Sequence, residues 1–473
     1  MHSLKRQQFI LAIAGTLFAL GIHWWNASAS GHFMHETADD ASYLRPAENF
    51  AATGTWKDNS TGASSFVQRP PLFGIVHLPF YLLFGKLAAF AQSGFFFLLH
   101  GFALFRLPAI FQHFTSRKQS LLFSWIYALL PCFWGFLSYQ ITEALSPSLV
   151  ILLIASIQGK RSSGIGSVIL LFLCCWMLRP VLVLLFPVVL WLLITKRKAL
   201  VPRKHLWNFV VLVCSLVAVF SWEFRKHAYL GTWGELHPIY HESNASLYRP
   251  VHASLTNVFR TWETQPEVFH AIAGSCTGGD STYRSLDYLK AYTAERAIPL
   301  KPERLYALLR QYTAANQELI PTLSRNERLS ETAAEADLRH LLDQLADSLQ
   351  SAEPFRYYIQ TPFRGAKEQL TKSQLNLELF QVVYRHSWWV AILRWICVLT
   401  ILCSLLLSVF ALFSGDTLLR WFSAGILLFL FYLFFVQRLN EDRYLIPMLP
   451  MIFITGMSVL GKMTDKRMAS RHS

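Results

Sequence analysis

The feature that most constrains this chain is the recurrence of long, nearly uncharged apolar runs. "FILAIAGTLFALGIHWW", "SLLFSWIYALLPCFWGFL", "SPSLVILLIASI", "FVVLVCSLVAVFSW" and "GILLFLFYLFFV" each approach the roughly 20 residues that carry a helix across hydrocarbon. Backbone in lipid must satisfy its own hydrogen bonds, so runs of this kind become helices. Only 15% of the 473 residues are charged and 53% are hydrophobic, against about a quarter charged in ordinary soluble domains. The expected fold class is an all-α polytopic membrane protein.

A net charge of +14 would suggest nucleic acid as a partner of a soluble protein. Here the basic residues sit in short clusters between apolar runs, where they orient the chain instead, and no nucleic-acid partner is expected. Lys5 and Arg6, Arg117 and Lys118, Lys160 and Arg161, Lys196 to Lys198 with Arg203 and Lys204, and Lys462, Lys466 and Arg467 all fall on the cytoplasmic side if an even number of crossings separates successive clusters. Spans near 9 to 25, 94 to 112, 120 to 138, 142 to 158, 164 to 178, 181 to 195, 207 to 224, 387 to 411, 418 to 436 and 444 to 461 meet that condition. The expectation is about ten transmembrane helices with both termini cytoplasmic. Leu72 to Phe90 is apolar but carries His77, Pro79, Gly85 and Lys86, and is expected to lie on or dip into the outer face.

Three parts follow. Residues 1–224 form an N-terminal membrane block whose first outer loop covers 26–93, residues 225–385 an outer loop domain, and residues 386–473 a closing membrane block. "NASASG" after the first run resembles a signal-peptidase site, but the long run and Trp24 and Trp25 favour a retained interfacial anchor. In the loop domain, "TAAEADLRHLLDQLADSL" opens with a capping box, Thr332 and Glu335. Leu338, Leu341, Leu342, Leu345 and Leu349 fall on one helical face, expected to pack on neighbouring helices. Six of seven cysteines lie in expected spans and only Cys276 in an outer loop, so no intramolecular disulfide and no Cys/His metal pattern is expected.

Ionisable groups are costly at membrane depth, so those at the ends of spans are the candidates for chemistry. The densest group is "HETADDASYLRPAENFAATGTW". Asp39 can be the N-cap of a short helix on which Tyr43, Ala47 and Ala51 follow at four-residue steps. A carboxylate there acts as a general base if an acceptor hydroxyl lies within hydrogen-bond reach; adjacent acids also serve for capping and solvation alone. Glu36 and Glu48 are read as helix surface. "FVQRPPLFG" sets Arg69 before two prolines that stop a helix and can aim the guanidinium back at the acids, where it can hold a phosphate or snorkel to a head group. "QRLNEDRYLIPMLP" places Arg443 and Tyr444 just before the last span. Glu143 in "YQITEAL" and Arg179 in "MLRPV" fall at outer turns on the same face. Acids and arginines from distant loops thus converge on one side of the membrane.

"DDASYLRPAENFAATGTW", "RPPLFGIVHLPFYLLFG" and "NEDRYLIPMLP", in that order, resemble the GT-C superfamily of integral-membrane glycosyltransferases, nearest to the protein O-mannosyltransferases and the lipid A aminoarabinose transferase. The resemblance covers roughly the first 150 residues and the last 40. It implies a multispan enzyme with juxtamembrane helices in the first outer loop, moving a sugar with inversion from a polyprenyl phosphate to a hydroxyl of a lipid, glycan or protein acceptor. It further implies Asp39 as base, Asp40 positioning it or the acceptor, and Arg69 and Arg443 on the donor phosphate, with Leu72 to Phe90 along the lipid tail. Arg443, Tyr444 and Pro447 match the late Arg-Tyr-x-x-Pro signature. The acidic pair is Asp-Asp where Asp-Glu is common and the basic residue is Arg where Lys is frequent, which leaves open which acid is the base. No metal cofactor is required, because arginines can neutralise a monophosphate; His32, His35 and Asp39 are the residues that could hold a divalent ion. The implied location is a bacterial inner membrane with the site facing the periplasm. An O-antigen ligase or polymerase, with essential loop-domain arginines, and a transporter or flippase of lipid-linked sugars, with charges at mid-span such as His100 and Arg106, are the competing readings.

Overall fold

The computed structural model describes residues 2–33, 39–56, 69–159, 164–195, 206–230, 250–264, 282–317, 331–371, 375, 377–438 and 442–469. Glu36, His35, Cys276, Glu441 and the basic clusters at 160–161 and 196–204 lie outside them.

Among the described residues the chain is helical and has no strand. Its helices are α1 (His2–Ser30), α2 (Asp40–Thr53), α3 (Leu72–Phe84), α4 (Ala88–Gln112), α5 (Arg117–Leu129), α6 (Thr142–Gln158), α7 (Gly164–Leu178), α8 (Phe186–Thr195) and α9 (Leu206–Leu230). There follow α10 (Pro250–Phe259), α11 (Thr282–Glu295), α12 (Pro302–Gln317), α13 (Ala333–Ala352), α14 (Thr361–Thr371), α15 (Trp388–Phe410), α16 (Thr417–Phe431) and α17 (Leu449–Ala469). Five helical stretches are long and apolar enough to cross a membrane: Leu4–Ser30, Leu72–Gln112, Trp388–Phe413, Thr417–Gln437 and Ile446–Asp465. Shorter apolar helices, Thr142–Gln158, Ile165–Leu178, Pro180–Thr195 and Val210–Phe224, accompany them. The chain is an integral membrane protein.

α1 and α4 run antiparallel in close contact. A Cβ added at Gly101 would lie 2.6 Å from Thr16 Oγ1, and the rings of His23 and Phe97 meet at 5.3 Å. The stretch Leu72–Gln112 is two helices. Gly85, at φ 53°, and the 3₁₀ turn Gly85–Leu87 fold α3 back along the first half of α4, so that Phe73 packs on Phe96 and His77 bonds to Gln92. The apolar segment Leu72 to Phe90, expected on the outer face, therefore forms the first arm and the turn of a hairpin.

The expected span from 120 to 138 is a correction. α5 stops at Leu129 because Pro131 cannot continue the helix and forces Leu130 into extended backbone. Residues 131–141 instead form a buried connection, held by Trp134 Nε1 donating to Ala128 O at 3.1 Å and by His23 bonding to Ser138 Oγ at 2.8 Å. That connection delivers Thr142 and Glu143 to the start of α6.

In the C-terminal block α15 and α17 cross at small residues, the packing that serves helices lacking a hydrophobic drive in lipid. Ser408 Oγ donates to Ile452 O at 3.0 Å, and a Cβ added at Gly456 would lie 2.3 Å from Ser404 O. Gly456→Ala is expected to lower stability by about 1–3 kcal/mol, as overpacking does, whereas Gly94→Ala, with nothing within 4 Å, leaves it unchanged. Midpoints of thermal unfolding in detergent measure both; equal midpoints would remove the close crossing.

The segment between α9 and α15 has its own core. Leu255, Val258, Phe259 and Trp262 pack against Leu289, Tyr292, Leu305, Leu309 and the inner face of α13. The capping box of α13 is present, with Glu335 N donating to Thr332 Oγ1 at 3.2 Å. Leu338, Leu342, Leu345 and Leu349 are buried, but Leu341 is 38% exposed, so the face is narrower than its leucines suggest. Buried Glu263 accepts from Tyr292 and Arg296 beneath this core. Two arginines tie the unit to the membrane block: Arg260 Nη2 donates to Gln437 O at 3.1 Å and Arg438 Nη1 to Arg260 O at 3.2 Å.

Candidate active site

Four connections meet at the end of the bundle where α1 finishes. They carry Asp39, Arg69, Arg179 and Arg443, with Glu143 in the first turn of α6. α2 and α3 lie side by side in the same direction, with Tyr43 against Phe73 at 5.4 Å. Gly74 permits this approach: a Cβ there would lie 2.9 Å from the Trp56 ring and 3.2 Å from Tyr43 O.

Asp39 is held between two arginines. Arg69 Nη2 donates to Oδ1 at 2.5 Å, and Arg443 Nη1 donates to Oδ2. Arg443 is 404 residues away along the chain. Arg69 directly precedes Pro70 and Pro71, and its guanidinium also stacks on the Tyr43 ring, 4.2 Å from the centroid. Asp39 does take the N-cap position of α2, but its carboxylate makes no capping bond and its backbone is helical. Both oxygens face the arginines instead, which corrects the capping expectation. Burial pushes the Asp39 carboxyl up, but the charges and hydrogen bonds of Arg69 and Arg443 outweigh it and hold it below its ordinary value of 3.8.

A second ion pair stands beside the first. Arg179 Nη2 donates to Glu143 Oε1, and Arg179 Nε donates to Thr142 Oγ1 at 2.9 Å, whose hydroxyl in turn donates to Glu143 Oε2 at 2.9 Å. Arg179 is placed by the device that places Arg69: it precedes a proline, Pro180, takes extended backbone and ends α7. Glu143 gains from the N-terminal end of α6, where backbone N–H groups are unpaired. Arg179 Nη1 is buried without a hydrogen-bond partner among the described residues, leaving a donor for a ligand oxygen.

Tyr444 links the two pairs. Its ring lies 5.2 Å from the Arg179 guanidinium carbon and 5.7 Å from that of Arg443. Asp40 is buried in the first turn of α2. Its charge and that of Glu378 act on the Tyr139 phenol, which burial pushes up.

The arrangement thus gathers Asp39, Tyr43, Arg69, Glu143, Arg179, Arg443 and Tyr444 into one connected constellation, with Asp40 beside Asp39 in sequence. Thr142, adjacent to Glu143 and the link between Glu143 and Arg179, was not singled out by sequence reasoning, although a hydroxyl next to a buried acid is the signal for it. Glu48 is not plain helix surface: its carboxylate lies 3.5 Å from His77 Nε2. Among the described residues no group of three His, Cys, Asp or Glu side chains comes together that could hold a metal ion. His32 is exposed, and His35 lies outside the described residues. Chemically, the site offers two ion-paired carboxylates, Asp39 and Glu143, that can accept a proton, and three guanidinium groups that can hold an oxyanion. No family model matches the chain, nor does any curated protein or solved structure.

Proposed function

We propose that this protein is an inverting glycosyltransferase of GT-C type, taking a sugar from a polyprenyl-phosphate carrier and moving it to a hydroxyl acceptor. The observation that carries the reading is the Asp39 carboxylate bracketed by Arg69 and Arg443. A base and two phosphate-binding cations are the minimum that such a transfer asks of a protein. In this reading the chain crosses a bacterial inner membrane several times, the site opens to the periplasm, and the unit between α9 and α15 lies on that side.

The acceptor oxygen attacks the anomeric carbon while its proton passes to Asp39. The bond from that carbon to the phosphate oxygen breaks on the opposite face, and the leaving monophosphate takes up the electron pair. Arg69 and Arg443 stabilise the charge that develops there, as planar forks suited to phosphate. Before donor binds, the same two arginines hold Asp39 as a stand-in anion and make it a weak base. The donor phosphate draws guanidinium groups towards itself and thereby raises the basicity of Asp39, so donor binding precedes acceptor activation. Asp40 positions the start of α2, and Arg179 with Glu143 supports Tyr444 behind Arg443.

The test is retention of a labelled polyprenyl-phosphate sugar by the protein in lipid nanodiscs. Charge-assisted hydrogen bonds contribute about 1.5–3 kcal/mol each, so Arg69→Ala and Arg443→Ala are each expected to weaken binding roughly 10-fold to 100-fold. Asp39→Asn, which removes the competing anion, is expected to bind at least as tightly as the natural chain. Equal retention by the natural chain and an Arg69→Ala/Arg443→Ala variant would remove the donor site.

A further inference from the structure

The joint between the outer unit and the membrane block holds two positive charges with no negative partner among the described residues. Arg438 comes directly after the apolar stretch Thr417–Gln437, so it stands where that helix leaves the hydrocarbon, at the depth of lipid head groups. Arg260, one residue past α10, reaches it from the outer unit. The two are tied through Gln437 O and Arg260 O, as described above.

Their other bonds also go to neutral acceptors. Arg260 Nη1 donates to Asn257 Oδ1 at 3.2 Å and Arg438 Nε donates to Phe435 O at 3.1 Å, while Arg260 Nε is buried without a partner. Arg438 is 7% exposed and lies under the Tyr357 ring, its guanidinium carbon 4.0 Å from the centroid. Acids of the outer unit close to Arg260 in sequence or structure are engaged elsewhere: Glu263 accepts from Tyr292 and Arg296, and Glu368 accepts from Thr264. Arg69, Arg179 and Arg443 each have a carboxylate, so these two differ from every arginine of the candidate active site.

The electrostatics point the same way. Burial pushes both guanidinium groups below their ordinary value, and the charge of Arg260 pushes Arg438 down further. Arginine keeps its proton in proteins, so the direction marks a charge that lacks its counter-ion. Two buried charges of like sign side by side are tolerated only when an anion completes them. The backbone is shaped around this spot. Arg438 takes left-handed backbone, φ 55° and ψ 33°, at the end of a π-helical turn over 432–437, and a second π-helical turn, 356–360, supplies Tyr357. Positive φ is uncommon outside glycine, and π turns collect at functional sites.

The missing group must accept hydrogen bonds, carry negative charge and be present at head-group depth. A lipid phosphate meets all three conditions, and its oxygens suit the planar fork of arginine. Arg260 is half-buried, which leaves the pair open to a ligand from the surface. We infer that Arg260 and Arg438 bind the phosphate of an anionic phospholipid, which is the counter-ion of the joint and fastens the outer unit to the membrane. This site is separate from the donor site at Asp39 and does not rest on the glycosyltransferase reading.

Binding titrations followed by microscale thermophoresis, on the full chain in a neutral maltoside detergent and without sugar donor, test it. Failure of this site is thus a separate result from failure of transfer. The probe is dioctanoyl phosphatidylglycerol, with dioctanoyl phosphatidylcholine and inorganic phosphate as comparisons. Phosphatidylglycerol is expected to bind about 10-fold more tightly than either comparison, and about 10-fold to 100-fold more weakly in Arg260→Gln and Arg438→Gln, as the loss of charge-assisted hydrogen bonds implies. The Arg69→Ala/Arg443→Ala variant is expected to keep this binding. Glutamine at the half-buried position 260 can still donate to Gln437 O, so the test does not depend on Arg438→Gln folding. Equal affinity of the natural chain and Arg260→Gln for phosphatidylglycerol would overturn the site. Phosphatidylcholine binding as tightly would overturn the selection for an anionic lipid, and inorganic phosphate binding as tightly would overturn the lipid in favour of a free anion. Binding lost in Arg69→Ala/Arg443→Ala would move the lipid to Asp39 and overturn the assignment to the joint.

Discussion

Replacing Asp39 by Asn is expected to abolish sugar transfer while the protein still inserts, folds and holds its donor. General-base catalysis contributes about 10²-fold to 10⁴-fold, so the residual rate is expected at or below about one hundredth. The amide keeps the shape of the side chain but cannot take the acceptor's proton. The same variant has a signature in stability. Because the native Asp39 carboxyl is held below 3.8 by Arg69 and Arg443, its ion pairs stabilise the fold fully above that value. This contribution is lost as pH falls through the lower, native value. Asp39→Asn has no such proton to take up, so its unfolding midpoint should fall less steeply with acid than that of the natural chain. Labelled-sugar transfer and a pH series of melting curves read the two effects. Transfer above a tenth of the natural rate in the Asn variant would remove Asp39 from the role of base.

Much of the architecture was legible because lipid leaves the backbone few options. The runs at 387 to 411 and 418 to 436 met their helical stretches within about two residues and the run at 9 to 25 lies inside the longer helix His2–Ser30, since an apolar stretch of membrane length has one stable form. At Pro131 hydropathy alone misled, although Pro108 and Pro147 are carried inside their helices. The run from 120 to 138 is apolar throughout, yet Pro131 ends its helix and sends the rest into a buried connection. The reversal at Gly85 was equally hidden, because the apolarity of Leu72 to Phe90 and of 94 to 112 does not show that the first folds back along the second.

The site was legible in its members and not in its pairings. Arginines next to proline and acids at helix starts could be picked out singly, from backbone rules that act over a few residues. That Arg443 and Arg69 share Asp39, one on each oxygen, is a tertiary fact between residues 404 and 30 positions away. Glu48 illustrates the same limit. Helical spacing placed it on a surface, and only the docking of α3 against α2 shows that this surface faces His77.

The second large effect is expected at Glu143 and Arg179, and it is one of stability. Their side chains are 1% and 9% exposed, so neither charge has water to fall back on. Removing one partner of a buried pair leaves the other charge uncompensated, which costs about 3–5 kcal/mol. Glu143→Leu and Arg179→Met should therefore each unfold well below the natural chain. Removing both charges together leaves apolar groups of similar volume and no uncompensated charge, with only the Thr142 hydroxyl losing its partners, so Glu143→Leu/Arg179→Met should recover much of the loss. The recovered fold should nonetheless be impaired in function, because the guanidinium groups of both Arg179 and Arg443 lie near the Tyr444 ring, at 5.2 Å and 5.7 Å from its centroid. With Arg179 gone, Tyr444 loses a cation that fixes its ring, and Arg443 loses part of its support. Donor retention in the double variant is thus expected to weaken several-fold although neither changed residue touches Asp39 in the pairings above. Unfolding midpoints of the two single variants and the double variant, read as a cycle, decide the first point. A single Arg179→Met variant as stable as the natural chain would show that the pair does not hold the start of α6 to the end of α7, and the support given to Arg443 through Tyr444 would fall with it.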